Sequence, residues 1–260
     1  MLVSRRVFLT LVPPATLQLS RLTAGAAAPS VPDTFPTQDA AMVREMVGVS
    51  HGNVPRVKEL LAEHATLANA AWDWGFGDWE TALGAASHVG NREIAAVLLD
   101  HGARPTIFSA AMLGQLDVVR AFVSVTPGVQ RTLGPHGITL LAHARAGGDG
   151  AKPVHDYLSG LGDADAGYAA TLPEDRAPRY TGTYAFGTQD TSRIEIKFER
   201  GGLRFERKGG SARNLVALGD DVFHPVGAPA VRIRFVAEGE RVTGLTVHDP
   251  GLVLRAVRQT

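Results

Sequence analysis

Residues 81–103 read TALGAASHVGNREIAAVLLDHGA, and this stretch decides how the first half of the chain is built. Ile94, Val97 and Leu98 fall at helical spacing and make one apolar stripe, while Ala85 and Ala86 are small enough to let a preceding helix approach a neighbour closely. Gly90 permits a tight turn between the two helices and Gly102 ends the second one. The stretch predicts a helix–turn–helix unit that cannot bury its own apolar face and must stack on others of its kind.

Weaker copies flank it. Val47–Asn53 leads into Val57, Leu60 and Leu61; Phe108–Gly114 leads into Leu116, Val118, Val119 and Phe122; Gly137–Ala144 leads through Gly147-Gly148 into Val154, Tyr157 and Leu158. The start Thr81-Ala82-Leu83-Gly84, the glycine at 90 and the closing Gly102-Ala103 resemble an ankyrin repeat. The resemblance implies about four repeats over residues 38–162, an all-α solenoid whose concave face recognises a protein partner.

Beyond residues 163–179, rich in Ala, Asp and Pro and read as a linker, the period changes. Ile194, Ile196 and Phe198 alternate with charged residues, as do Leu203 and Phe205, then Val231, Ile233 and Phe235. Clean alternation predicts an antiparallel sheet over 180–260, a β-barrel or β-sandwich of seven or eight strands. Turns are expected at Gly201-Gly202, Gly209-Gly210, Asp220-Asp221 and Glu238-Gly239-Glu240. The run Tyr180-Thr181-Gly182-Thr183-Tyr184 with Leu203, Phe223 and the hairpin from Arg232 to Leu245 resembles the small β-domain that follows some penicillin-binding-class serine hydrolases. The fold class expected for the whole is α+β: a helical solenoid followed by this small sheet domain.

Ser4-Arg5-Arg6-Val7-Phe8-Leu9, a modest apolar run and Ala24-Gly25-Ala26 have the layout of an export signal over residues 1–26. The arginine pair resembles the twin-arginine signal of bacteria and implies a periplasmic protein with no membrane-integral part after cleavage. There are no cysteines, which excludes disulfides and thiolate sites. Charge is uneven: residues 27–178 carry 10 basic and 17 acidic side chains, residues 179–260 carry 13 and 9. An acidic first region disfavours nucleic acid as a partner.

All three tryptophans lie in Trp72-Asp73-Trp74-Gly75-Phe76-Gly77-Asp78-Trp79-Glu80. Exposed, Trp72, Asp73, Trp74, Phe76, Asp78 and Trp79 would form a partner-binding hot spot, with His136 adding polar character; folded inward, the same loop would simply pack on the first two units. Gly48-Val49-Ser50-His51-Gly52 matches a nucleophile elbow, which makes Ser50 the candidate of a hydrolase reading, but the residues before it look helical where an elbow needs a strand. Seven of nine histidines fall in the repeat region, including His51, His88, His101, His136 and His143, yet no two of these five are four apart on one helix, so the spacing gives no metal site and no cofactor. The functions expected are, first, an exported protein-binding adaptor that is not an enzyme. The second is a binder of a small molecule or envelope component using a pocket in the β-domain.

Overall fold

The computed structural model describes residue 35 and residues 37–165, 172–199, 201–208, 210 and 212–259. The export signal expected over residues 1–26 lies outside the described residues. Residues 38–260 form one compact unit. Its first part holds eight short helices in four successive pairs: α1 (Ala40–Val49) with α2 (Val54–Glu63), α3 (Ala82–His88) with α4 (Arg92–Asp100), α5 (Ile107–Leu113) with α6 (Leu116–Val125), and α7 (Leu140–Ala146) with α8 (Lys152–Leu161).

Local chemistry fixes the ends of these helices. Asp39, Asn53, Thr81, Asn91, Thr106 and Thr139 each sit just before a helix and accept a backbone N–H from its first turn. The first two pairs also share a device. Ser50 and Ser87, both buried, donate their hydroxyls to the carbonyls of Met46 and Leu83 one turn back, at 2.7 and 2.5 Å. Arg92 ties the later pairs together by donating to the carbonyls of Met112, Leu113 and Gly147, which end α5 and α7.

The expected ankyrin solenoid is not what forms. The first helices of the pairs start at residues 40, 82, 107 and 140, so successive offsets are 42, 25 and 33 residues, and a solenoid needs a constant step. The region is not all-α either: strands β1 (Ala71–Asp73) and β2 (Trp79–Thr81) form an antiparallel hairpin before α3, and 3₁₀ turns fill other connections. The apolar interior divides into two clusters, one around Met46, Leu60, Leu83, Ile94 and Leu98 and one around Val119, Leu140, Val154 and Leu158, rather than running as one elongated core. The class is therefore an irregular stack of helix pairs joined to a barrel. Good local agreement of residues 81–103 with a repeat does not force regular spacing on the others.

The second part is a closed antiparallel barrel of eight strands: β3 (Gly182–Ala185), β4 (Arg193–Glu199), β5 (Gly202–Arg207), β6 (Arg213–Gly219), β7 (Val222–Pro225), β8 (Arg232–Glu238), β9 (Arg241–Asp249) and β10 (Gly251–Arg258), with β10 closing on β3. The barrel, rather than the sandwich, is what the alternating pattern makes. Asp220 and Asp221 both take positive φ (51° and 59°) in the two-residue turn between β6 and β7, which suits the twist of a tight hairpin. Alternate side chains fill the interior: Tyr180, Tyr184, Phe223 and Phe235 meet edge-on or tilted at ring separations of 4.8–5.8 Å among Ile194, Ile196, Ile233 and Val247. Part of the expected linker belongs to this core. Glu174–Arg179 is a 3₁₀ helix, and its Ala177, with the following Tyr180, is buried in the barrel. Among the described residues no helix is long and apolar enough to cross a membrane.

Candidate metal centre

The β1–β2 hairpin, the end of α3 and two chain turns converge on one point. Glu80 lies on β2, immediately before the Thr81 cap of α3, and is 1 % exposed. His88 is the last residue of α3, and helical side chains lean toward the N-terminus, back toward Glu80. His51 follows α1 in the turn to α2. His136 comes from the 3₁₀ turn Pro135–Gly137, where it holds φ 59°. That turn packs on α3 at Gly84, where a Cβ would stand 3.6 Å from the Pro135 ring, an ordinary contact, and 3.1 Å from the Thr81 hydroxyl.

The four side chains each offer one ligand atom, and all four atoms lie within 4.8 Å of one another. His51 Nε2 and His88 Nε2 are 3.1 Å apart. Glu80 Oε1 is 3.0 Å from His88 Nε2 and 3.4 Å from His136 Nε2, and Glu80 Oε2 is 3.6 Å from His51 Nε2. Tetrahedral zinc with ligand bonds near 2.0–2.1 Å implies donor–donor separations of about 3.4 Å, in the middle of these values. Oε1 is buried and makes no hydrogen bond despite its two imidazole neighbours, because they approach it off the angle a hydrogen bond needs. In the free cluster His51 and His88 share a hydrogen bond between their Nε2 atoms, which leaves Glu80 Oε1 as the unpaired ligand atom.

The surroundings set the tautomers. His51 Nδ1 faces the Gly48 carbonyl at 3.0 Å, so Nδ1–H donates there and the Nε2 lone pair points into the cluster. His136 Nδ1–H donates to Asp78 Oδ2 at 2.8 Å, and the His136 backbone N–H donates to Asp78 Oδ1 at 2.8 Å. This carboxylate fixes both the ring and the unusual backbone of His136, the arrangement that orients histidine ligands in metal sites. Trp74 Nε1–H donates to Glu80 Oε2 at 2.7 Å and steadies the fourth donor. His143 meets His88 edge-on, with ring centroids 6.5 Å apart.

Electrostatics agree with the geometry. Burial pushes the Glu80 carboxyl up, but the imidazoles of His136 and His88 more than reverse that and hold it at about 2. Burial opposes charge on His136, yet Asp78 and Glu80 raise it to about 9. Burial also opposes the Asp78 anion, and the bonds from His136 outweigh it, so its pKa is lowered. Burial takes His143 down to about 4 and keeps it neutral. The free cluster thus holds a carboxylate and positive charge on His136; a divalent cation supplies positive charge to the same place once His136 releases its proton.

A cleft opens beside these groups. It has a volume of about 360 Å³, is lined by His51, Trp74, Asp78 and His136 from the helical part and by Arg204, Arg213 and Asn214 from the barrel, and lies outside the filled barrel interior. The residues expected to bind a partner are therefore divided. Trp79 is 62 % exposed. Trp72 and Trp74 are half-buried against the helical core, Phe76 packs on the barrel core, and Asp73 accepts the backbone N–H groups of Gly75 and Gly77. Asp78 and His136 pair with each other rather than face a partner. Ser50 is fully buried with its hydroxyl engaged by Met46, and no histidine or carboxylate bonds to it among the described residues, so the elbow reading of Ser50 fails.

Sequence reasoning missed the metal cluster because its donors are 29, 8 and 48 residues apart and no helix carries two of them. One signal was present: Ser50-His51-Gly52-Asn53 and Ser87-His88-Val89-Gly90-Asn91 are the same helix-ending phrase in neighbouring pairs, and stacking sets equivalent residues side by side. No known protein family and no curated protein matches this chain.

Proposed function

We propose that this chain is a binding protein for a divalent transition metal of the zinc class, held by His51, Glu80, His88 and His136. The observation that carries the proposal is the convergence of three imidazole nitrogens and one buried carboxylate oxygen within 4.8 Å. Imidazole donors with a single carboxylate and no thiolate suit zinc, cobalt or nickel better than the all-oxygen cations calcium and magnesium. Buried Glu80 needs a counter-charge, which protonated His136 supplies in the free protein and a cation would supply in its place. The adaptor reading is left with Trp79 as the exposed ring of its hot spot, and a single exposed tryptophan is weaker support than four convergent ligands. An export address over residues 1–26, which is independent of the site, completes the proposal as a periplasmic metal-binding protein.

Stripped protein titrated with zinc and followed by calorimetry and elemental analysis is expected to take up one ion per chain. Glu80→Gln and His88→Ala should each weaken uptake by about 100-fold or more, since each deletes a ligand. Absence of stoichiometric uptake, or equal affinity in wild type and both variants, sinks the proposal.

A further inference from the structure

Arg213, the first residue of β6, is the one feature of the cleft that the metal cluster leaves unexplained. Its side chain is 10 % exposed, and both Nη1 and Nη2 are buried without a hydrogen-bond partner. Nη2 lies 3.2 Å from Asp78 Oδ2, close enough for attraction but outside hydrogen-bonding geometry. Asp78 accepts its hydrogen bonds from His136 instead, one at each oxygen. A guanidinium has a fork of donors that matches two oxygens of one oxyanion, and a buried fork left open is costly in the same way as any unpaired buried polar group.

What stands around Arg213 selects the ligand by charge and size. Arg204 contributes a second guanidinium to the cleft wall, and it is partly occupied by Glu199 at 2.8 Å. Among the described residues Asp78 is the one acidic residue lining the cleft, and it is already shared between His136 and Arg213. His51 and His136 line the same space, so an ion bound by them borders it. His136 Nδ1 and Arg213 Nη2 approach the same Asp78 oxygen at 2.8 and 3.2 Å, so Arg213 and the Nδ1 side of the His136 ring are at most about 6 Å apart, while Nε2 faces the cluster. A volume of about 360 Å³ suits a small metabolite-sized molecule rather than a polymer.

We propose that the cleft binds a small oxyanionic molecule, a phosphate or carboxylate, whose oxygens are forked by Arg213 and reach the cleft side of the metal ion. This rests on the metal reading above. The helical part supplies the ion, the barrel supplies the guanidinium, and the anion joins them. Four protein donors alone make a closed tetrahedral site, so an added oxygen would expand the ion to five ligands and change its geometry.

The test uses the full chain loaded with cobalt(II), whose visible bands report its coordination, titrated with inorganic phosphate and separately with acetate. Saturable change in the bands with either anion is expected, with an apparent Kd at least 10-fold weaker in Arg213→Met and partly restored in Arg213→Lys. Preference for phosphate assigns a phosphoryl ligand, and preference for acetate assigns a carboxylate. Thermal melts of both variants separate lost binding from lost folding, and Arg213→Lys keeps the positive charge beside Asp78 if Arg213→Met does not fold. Cobalt bands that neither anion alters, or that anions alter equally in wild type and both folded variants, overturn the anion site and leave the metal site standing. If no cobalt bands form, the metal reading fails and the anion site with it.

Discussion

Of the seven polar or charged residues buried among those described, Ser50, Asp78, Glu80, Ser87, Ser109 and His143 lie in the helical part, and His224 alone lies in the barrel. The barrel closes on itself, so its backbone groups pair along every strand edge and its interior can be apolar and aromatic throughout. The helical part has unequal connections, and the hairpin and the 3₁₀ turn that fill them carry polar side chains inward. Regularity made the barrel a platform that lends two guanidinium groups, Arg204 and Arg213; irregularity made the helical part the place where chemistry gathers. In the same way the polar contacts that anchor α5 and α7 come from a single arginine rather than from a repeated motif.

That contrast can be broken experimentally. Arg92→Met should produce the largest loss, about 2–4 kcal/mol, because it leaves three helix-end carbonyls without their charged donor. Urea unfolding followed by tryptophan fluorescence reads the helical part, where all three tryptophans reside, while far-UV circular dichroism reads both parts. Coincident transitions would show the two parts unfolding together; a fluorescence transition that moves alone would show that the helical stack stands or falls by itself.

A smaller effect is expected from Asp78→Asn. It keeps the shape but weakens the hold on His136, so zinc affinity should fall about 10- to 100-fold with one ion still bound per chain. Unchanged affinity would mean that the turn alone positions His136. The smallest effect concerns the zinc-free protein. His136 is raised from 6.5 to about 9, so its contribution to stability is complete below 6.5 and is lost as pH rises through 9. Melting temperatures measured from pH 7 to 9.5 should therefore decline, and Asp78→Asn should flatten that decline. A wild-type profile no steeper than that of the variant would remove Asp78 as the cause.

The barrel was legible in advance because its information is local: Ile194, Ile196 and Phe198 state their faces by alternation, and Asp220-Asp221 states a turn. The pair of helices in residues 81–103 was legible for the same reason. The regular solenoid inferred from it was not correct, since spacing between pairs is set by connections such as residues 64–81 that carry no repeating pattern. The site was least legible. Asp78 and His136 were singled out as surface groups, and only the fold shows that they bond to each other. Glu80 lay in plain view as the acidic end of an aromatic loop, but nothing local says that it turns inward.

The wide spread of the donors along the chain bears on the order of events during biogenesis. An ion caught by His88 and His136 in an unfolded chain would close a loop of 48 residues, at an entropic cost of about 3 kcal/mol before any other contact forms. Compact zinc modules have donors a few residues apart and can fold around their ion. Here the helix pairs, the hairpin and the 135–137 turn must already be in place, so an ion would arrive as cargo to a finished vessel, and the cellular compartment in which folding is completed would choose which metal is loaded first.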